Sequence, residues 1–516
     1  MPRARHAVAA GHALVAEAAD EVLRAGGSAV DAAVAGALTA CVAEPVLASL
    51  LGGGFLTARR ASDGAVKVLD FFVQTPRRPR PAGELDFHVA TADFGAVTQD
   101  FHIGAGSIAT PGVAPGLWEA HRALGRIPFA ELAKNAAALA RRGAPLSEFQ
   151  AKVFGIVLPI YLSTPDSRRL FLGGDDAPKP GAALPNPELG DVIETFALEG
   201  PRFMQEGEVA QAILSLTEEG GHLEAADLRR YAPAWRSALT VRRGAARISL
   251  NPAPSLGGAL IAFALELLER GAPPAEVARA FEMTARARLE SGIDGDAAAG
   301  ARRLLSETSL KYWRERLAGR PAATRGTTHV SVVDGAGNAA ALTLSNGEGC
   351  GLVAPGTGLM PNNMLGEEDL MPGGFHPVPA DVRLGSMMAP AVISGDDGSV
   401  CAIGSGGSNR IRTAMTQVIA RVLDGGARLE DAVAAPRIHA EAQVPDRERD
   451  IPDLAVDFED RIPEGAREAL LAAYPQARAW PEDSMFFGGV HAVRRSARGD
   501  VEAAGDHRRD GRALVG

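Results

Sequence analysis

Residues 326–345 read GTTHVSVVDGAGNAAALTLS, and the fold turns on how this stretch is read. His329, Ser331 and Val333 alternate with Val330, Val332 and Asp334, the period-two pattern of a half-buried strand. Asp334-Gly335-Ala336-Gly337-Asn338 supplies turn residues, with glycines that accept positive φ. Ala339 to Ser345 returns as a small, apolar strand. Thr327 and Thr328 therefore stand where an irregular segment enters a hairpin. A threonine in mid-chain has no obvious base beside it. Cut before Thr327, the chain would gain one, because a new α-amine has an ordinary pKa of about 7.7–8.0 and takes a hydroxyl proton near neutral pH. Residues 314–326, RERLAGRPAATRG, are basic, contain Pro and Gly and lack periodicity, as an accessible loop at a cleavage point would. Taken alone, a Thr-Thr step at a strand start is more often plain β-propensity than chemistry.

The rest of the composition narrows the class. At 516 residues the chain holds a large core, and length alone suggests two or three domains. Hydrophobic residues make up 46% and charged ones 22%, ordinary for a globular enzyme. A net charge of −10 argues against nucleic acid or an anionic membrane as partner. Cys41, Cys350 and Cys401 are too scattered for a disulfide framework and read as buried spare thiols. The histidines form no HxxxH or HxxEH pattern, so neither a metal nor another cofactor is expected. No window approaches the run of about 18 apolar residues that a membrane span needs. His12, Glu17, Asp20 and Glu21 interrupt any export-type apolar segment near the N-terminus, so a cytoplasmic location is expected.

In chain order, Ala7 to Leu23 has helical spacing and Gly26-Gly27 ends it. Ser28 caps a second helix, AVDAAVAGALTACVA, that Pro45 stops. LLGGGFLTARR follows as a glycine-rich turn into a strand, and Ala65 to Val73 as another. GSGGSNRIRTAMTQVI (404–419) is a glycine-rich loop entering a helix, without the lysine or spacing of a phosphate-binding loop.

TTHVSVVDGAGNAAALTLS resembles TTHxSVVDxxGNAVxxTxT, the segment that opens the small subunit of γ-glutamyltranspeptidases, which are N-terminal-nucleophile hydrolases. RAGGSAVDAAVAGAL (24–38), GSIATPGVAPGLWEAHRALGRIPFAEL (106–132), HLEAADLRRYAPAWRSALTV (222–241) and NPAPSLGGALIAFALELLE (251–269) resemble further parts of that family. The likeness runs from about residue 7 to 513, essentially the whole chain. It implies an α+β fold, a four-layer αββα sandwich of two stacked, mainly antiparallel sheets between helical layers. It also implies self-cleavage before Thr327 into a large segment, 1–326, and a small one, 327–516. Together they would form one fold as a heterodimer of the chain's own fragments; further self-association stays open.

Residue by residue, the resemblance makes Thr327 the nucleophile and Ser345 the hydroxyl that bonds to it. Gly407 and Ser408 would supply oxyanion-hole N–H groups. Glu367 aligns with the carboxylate that binds a substrate α-amine, and Ser386 with one of two serines that meet its carboxylate. Asn346, or Gly347 beside it, stands near the family's substrate-binding asparagine. Asn362 and Asn363 read equally as turn residues and as contacts. His329 is read as a hairpin residue rather than a base, since the α-amine fills that role. Three positions depart from the pattern: Phe72 replaces the arginine that holds the substrate carboxylate, Gly385 replaces the other serine, and Met364 replaces an amide-bearing residue. Arg77, Arg78 and Arg80 read as a solvated run.

The expected activity is that of a self-processing amidohydrolase or acyltransferase acting on a small-molecule amide or peptide. Glutathione and other γ-glutamyl compounds are the family's donors. An acylase for a non-glutamyl acyl amide, like the β-lactam side-chain acylases, is the alternative. A non-catalytic scaffold is the third reading, and the intact Thr327, Ser345 and glycine loop argue against it.

Overall fold

The structure is a computed structural model that describes residues 5–93, 98–314, 327–371, 373–442, 454–481 and 483–516. Of the expected cleavage loop, 314–326, Arg314 ends the helix Glu307–Arg314 and the rest lies outside the described residues. Two antiparallel sheets stack face to face. The first runs, strand by neighbouring strand, Arg512–Val515, Ala7–Ala10, Thr328–Val333, Ala339–Ser345, Gly53–Arg59, Val66–Phe71 and Ala234–Ser237. The second runs Val501–Ala504, Gly489–Arg495, Val400–Gly406, Ala391–Gly395, Ala246–Leu250 and Leu239–Arg243. Both sequence segments therefore contribute strands to both sheets.

Helices close the two outer faces. Helices Ala13–Arg24 and Ala29–Ala43 cover the first sheet. Ser28 caps the second of these, as expected, and forms a capping box with Asp31, each satisfying the other's backbone N–H. That helix is alanine-rich because it lies close on the sheet: a β-carbon at Gly36 would stand 3.4 Å from Val330 Cγ1. Helix Arg410–Asp424 covers the second sheet. The result is the four-layer αββα sandwich. All three cysteines are buried and unpaired.

Two local expectations fail, for one reason. Ala7–Ala10 is a strand, not the start of a helix, because it fills the slot between Arg512–Val515 and Thr328–Val333. The helix begins only after Gly11, where His12 Nδ1 accepts from Leu14 N–H at 3.2 Å. Thr328–Val333 is buried along its whole length rather than on one face. Its even-numbered side chains meet the helices and its odd-numbered ones meet the second sheet. Long-range packing overrides local periodicity at both places.

The two sheets approach most closely under the hairpin. A β-carbon at Gly404 would lie 2.1 Å from the His329 ring, and one at Gly406 would lie 2.1 Å from the Thr327 carbonyl oxygen. The imidazole cannot move aside, since Nδ1 bonds Thr343 Oγ1 at 2.7 Å and Nε2 bonds Ser331 Oγ at 2.8 Å. Burial holds the His329 pKa well below its ordinary value, with nearby His491 adding to the effect, so the ring stays neutral. His329 is a hairpin residue, as its sequence context suggests.

Candidate active site

Strand register places the nucleophile candidate in a row of four residues. Thr328 pairs with Leu344, so one step further Thr327 faces Ser345. Ser345 pairs with Gly53 on its other side. Gly54 pairs with Phe71, so Gly53 faces Phe72. The chain then folds over Gly53, whose β-carbon position lies 3.1 Å from Phe72 Cα and 2.8 Å from Val73 N, so Phe72 stands over the glycine next to Ser345. Gly53 has no side chain, and the Phe72 ring covers the gap: its Cδ2 lies 2.8 Å from where a Gly53 β-carbon would be. Thr327 and Ser345 are both buried at the end of the sandwich.

A turn crosses directly beneath Thr327. Strand Val400–Gly406 ends against the Thr327 carbonyl, and Gly407 and Ser408 follow with φ of 116° and 47° before the helix Arg410–Asp424. Two consecutive residues of positive φ turn successive N–H groups to one side. Among the described residues, neither the Gly407 nor the Ser408 N–H donates to an acceptor. The start of the long helix adds partial positive charge there. Two buried arginines flank the turn. Arg509 Nη2 lies 3.3 Å from a Gly407 β-carbon position and donates to the Met485 carbonyl at 3.1 Å. The Arg410 guanidinium stacks 4.2 Å over the Phe486 ring. Burial pulls both of these arginines down to about 10, so both remain charged at neutral pH. Behind them, Asp506 binds Arg437 at 2.5 Å and Arg508 at 3.1 Å, and those cations hold its carboxyl far below the usual range.

The remaining candidates gather beside Ser345. Gly347 donates to Ser345 Oγ at 3.0 Å, and a β-carbon on Gly347 would stand 2.3 Å from Glu367 Oε1 and 2.1 Å from Asn363 Oδ1. Its φ of 65° suits glycine. Asn346 points the other way, fully buried, its amide toward the Met360 carbonyl at 3.4 Å. Asn362 bridges the Leu51 and Ala109 carbonyls at 2.8 and 3.0 Å, and Asn363 accepts from Glu348 N–H at 3.0 Å. Both asparagines brace loops.

Of the three positions that the resemblance matches to carboxylate binding, Phe72 and Gly385 carry no polar side chain and Ser386 keeps its hydroxyl. Phe72 is 1% exposed, stacks on Phe55 at 5.5 Å, and shares one apolar cluster with Met364, Leu365, Leu384 and Met388. Ser386 follows Leu384 closely, and Leu384 N–H bonds the Val73 carbonyl at 3.1 Å, so this loop adjoins Phe72. Ser386 Oγ accepts from Met388 N–H at 3.1 Å. A β-carbon on Gly385 would approach the Pro254 carbonyl to 2.8 Å, too close for the family's serine without a shift. The nearby arginines are engaged elsewhere. Arg77 pairs with Asp381 at 2.5 Å, Arg80 donates to the Glu218 carbonyl at 2.8 Å, and Arg78 is mostly exposed.

Sequence reasoning passed over Glu44 and Arg509. Glu44 is a helix-end residue before Pro45, and Arg509 lies in the C-terminal turn; only the assembled sheets bring either to Thr327.

A family model described as Gamma-glutamyltranspeptidase matches residues 15–516. The chain belongs to the γ-glutamyltranspeptidase family. It is an enzyme of that family, an N-terminal-threonine hydrolase or transferase. An Acylase ACY 1 proenzyme from Pseudomonas sp. (strain V22) is 28% identical over 538 residues, covering 98% of this chain and 93% of the relative. A glutathione hydrolase proenzyme from Pseudomonas aeruginosa is 30% identical over 479 residues, covering 84% of this chain and 82% of the relative. The crystal structure of a cephalosporin acylase from Bacillus halodurans superposes with a TM-score of 0.80, covering 99% of this chain and 96% of its own, at 20% identity. That likeness bears on the fold alone.

The turn beneath Thr327 generates a test. Gly407→Ala adds a methyl 2.8 Å from Gly488 Cα at a φ that L-residues resist. Amide turnover by the folded variant should fall by up to about 10², as the strained turn moves an oxyanion donor out of position. Near-wild-type turnover would show that this turn does not serve the developing charge.

Proposed function

We propose that this protein is a self-processing acylase: it cleaves an amide through an acyl-enzyme on Thr327 and passes the acyl group to water or an amine. The row Thr327–Ser345–Gly53–Phe72 over the Gly406–Ser408 turn is the observation that carries this reading. After cleavage between Gly326 and Thr327, the α-amine of Thr327 takes the proton from its own Oγ1 as that oxygen attacks the amide carbonyl. The Gly407 and Ser408 N–H groups receive the oxyanion. As the intermediate collapses, the α-ammonium returns the proton to the departing amine and leaves an ester on Thr327. Water or an acceptor amine then attacks the ester, and the acyl group departs with Thr327 restored.

The acyl donor follows from charge. A γ-glutamyl group carries a carboxylate and an ammonium, each needing a partner once out of water. Glu367 remains beside Gly347 for the ammonium. For the carboxylate, the apolar cluster of Phe72, Met364, Leu384 and Met388 offers nothing. A hydrogen bond to a charged group contributes roughly 1.5–3 kcal/mol, so a missing arginine disfavours the carboxylate by more than one such bond. The favoured donor is therefore an acyl amide without an α-carboxylate. The γ-glutamyl reading, glutathione hydrolysis included, is the second choice, supported by the retained Glu367 and Ser386.

Processing is tested by N-terminal sequencing of the purified protein. Fragments 1–326 and 327–516 are expected, with Thr327 at the new terminus, and Thr327→Ala should stay one inactive chain. Cleavage at the same bond in Thr327→Ala would rule out this residue as the agent.

Donor choice is tested with paired p-nitroanilides. The 4-aminobutyryl anilide is the γ-glutamyl anilide without its carboxylate. Its kcat/KM should be at least about tenfold higher, the equivalent of roughly 1.4 kcal/mol. A clear preference for the γ-glutamyl anilide would show that the carboxylate has a partner after all. Phe72→Arg alone is a poor substitute for this comparison, because it would strand a charge in the apolar cluster.

A further inference from the structure

We propose that Glu44 is a positioning residue for the Thr327 α-amine: once the chain is cut, its Oε1 receives the new ammonium while its Oε2 holds Thr328. This rests on the N-terminal-threonine reading above. Glu44 caps the C-terminal end of helix Ala29–Ala43 and is 1% exposed. Its Oε2 accepts from Thr328 Oγ1 at 2.9 Å. Its Oε1 is buried and has no hydrogen-bond partner among the described residues. A buried carboxylate oxygen calls for a donor. Thr327 is the next residue along the strand from Thr328, about 3.3–3.6 Å of extended chain. Cleavage creates an ammonium at that residue, which is the missing donor.

The surroundings favour an ion pair. Gly11 roofs the site, and a β-carbon there would stand 3.0 Å from Thr328 Oγ1, 3.2 Å from Glu44 Oε2 and 3.4 Å from His491 Nε2. Arg509 and Asp510 face Glu44 from the C-terminal turn, one lowering and the other raising its pKa. Cys41 lies one turn back on the same helix, its thiol pushed up by burial. His491, pushed down to about 4 by burial, and His12, lowered by burial, are both neutral at pH 7. Burial pushes the Glu44 carboxyl up to about 7, so an adjacent ammonium would draw it into its charged form.

This completes a nucleophile, base and orienting carboxylate. As the Oγ1–H bond of Thr327 breaks and the Oγ1–C bond forms, the proton moves to the α-amine. The charge arising on that nitrogen meets the Glu44 carboxylate. The same proton then leaves with the amine product, and the ion pair is dissolved.

The test is the pH dependence of kcat/KM for wild type, Glu44→Gln and Thr328→Val, each checked for cleavage and for its melting temperature. Losing a negative charge beside an ammonium lowers its pKa, so the acid limb of the Glu44→Gln profile should move down by about one unit. Its plateau should fall roughly tenfold as the weaker base is also less well oriented. Thr328→Val, which frees the carboxylate from its tether, should move the limb in the same direction by less. A lowered plateau with an unmoved limb would reduce Glu44 to a structural role and overturn the proposal. So would a folded Glu44→Gln chain that stays uncut, since the proposed contact exists only after cleavage. Wild type left uncut would instead refute the N-terminal-threonine reading itself.

Discussion

The closest approach of the two sheets governs this structure. Gly404 lies under the His329 ring and Gly406 under the Thr327 carbonyl, at separations that leave no space for a β-carbon. His329 is fixed from both ring nitrogens, so the hairpin cannot rise to admit one. The strand that carries Thr327 is thereby pressed onto the strand that carries the Gly407-Ser408 turn. Everything in the proposed chemistry depends on that contact, because an oxyanion donor misplaced by an ångström loses most of its effect.

From this contact the site extends in two directions. Along the first sheet, antiparallel register carries it from Thr327 through Ser345 and Gly53 to Phe72. Through the second sheet it reaches the buried cations Arg410 and Arg509 and, behind them, Asp506 with Arg437 and Arg508. In the proposed reaction, one direction would set which acyl group fits, and the other would set the potential at the reacting carbonyl. The charges behind the turn are tolerable because they are paired: Arg437 with Asp506, and Arg508 with both Glu459 and Asp506.

Much of this was legible in the sequence where the information is local. The hairpin Thr328 to Ser345, the Ser28 cap and the glycine loop entering a helix all follow from short patterns, and the structure has each. The departures at Phe72, Met364 and Gly385 were also visible, but their surroundings were not. Only packing shows that Phe72 and Met364 share one apolar cluster and that the Pro254 carbonyl excludes a larger residue at Gly385. Ala7–Ala10 was misread as helical because its strand identity comes from neighbours more than 300 residues away in sequence, Thr328–Val333 and Arg512–Val515. Glu44 left no local trace, since its meaning arises only where a helix end meets the start of that strand.

The central claim is a covalent acyl-enzyme on Thr327, and intact and peptide mass spectrometry tests it most directly. Enzyme quenched in acid during turnover of a slow acyl p-nitroanilide should yield the 327–516 fragment heavier by one acyl group, with the added mass on its first residue. An adduct on any other residue, or turnover with no adduct on that fragment under single-turnover conditions, would contradict the account.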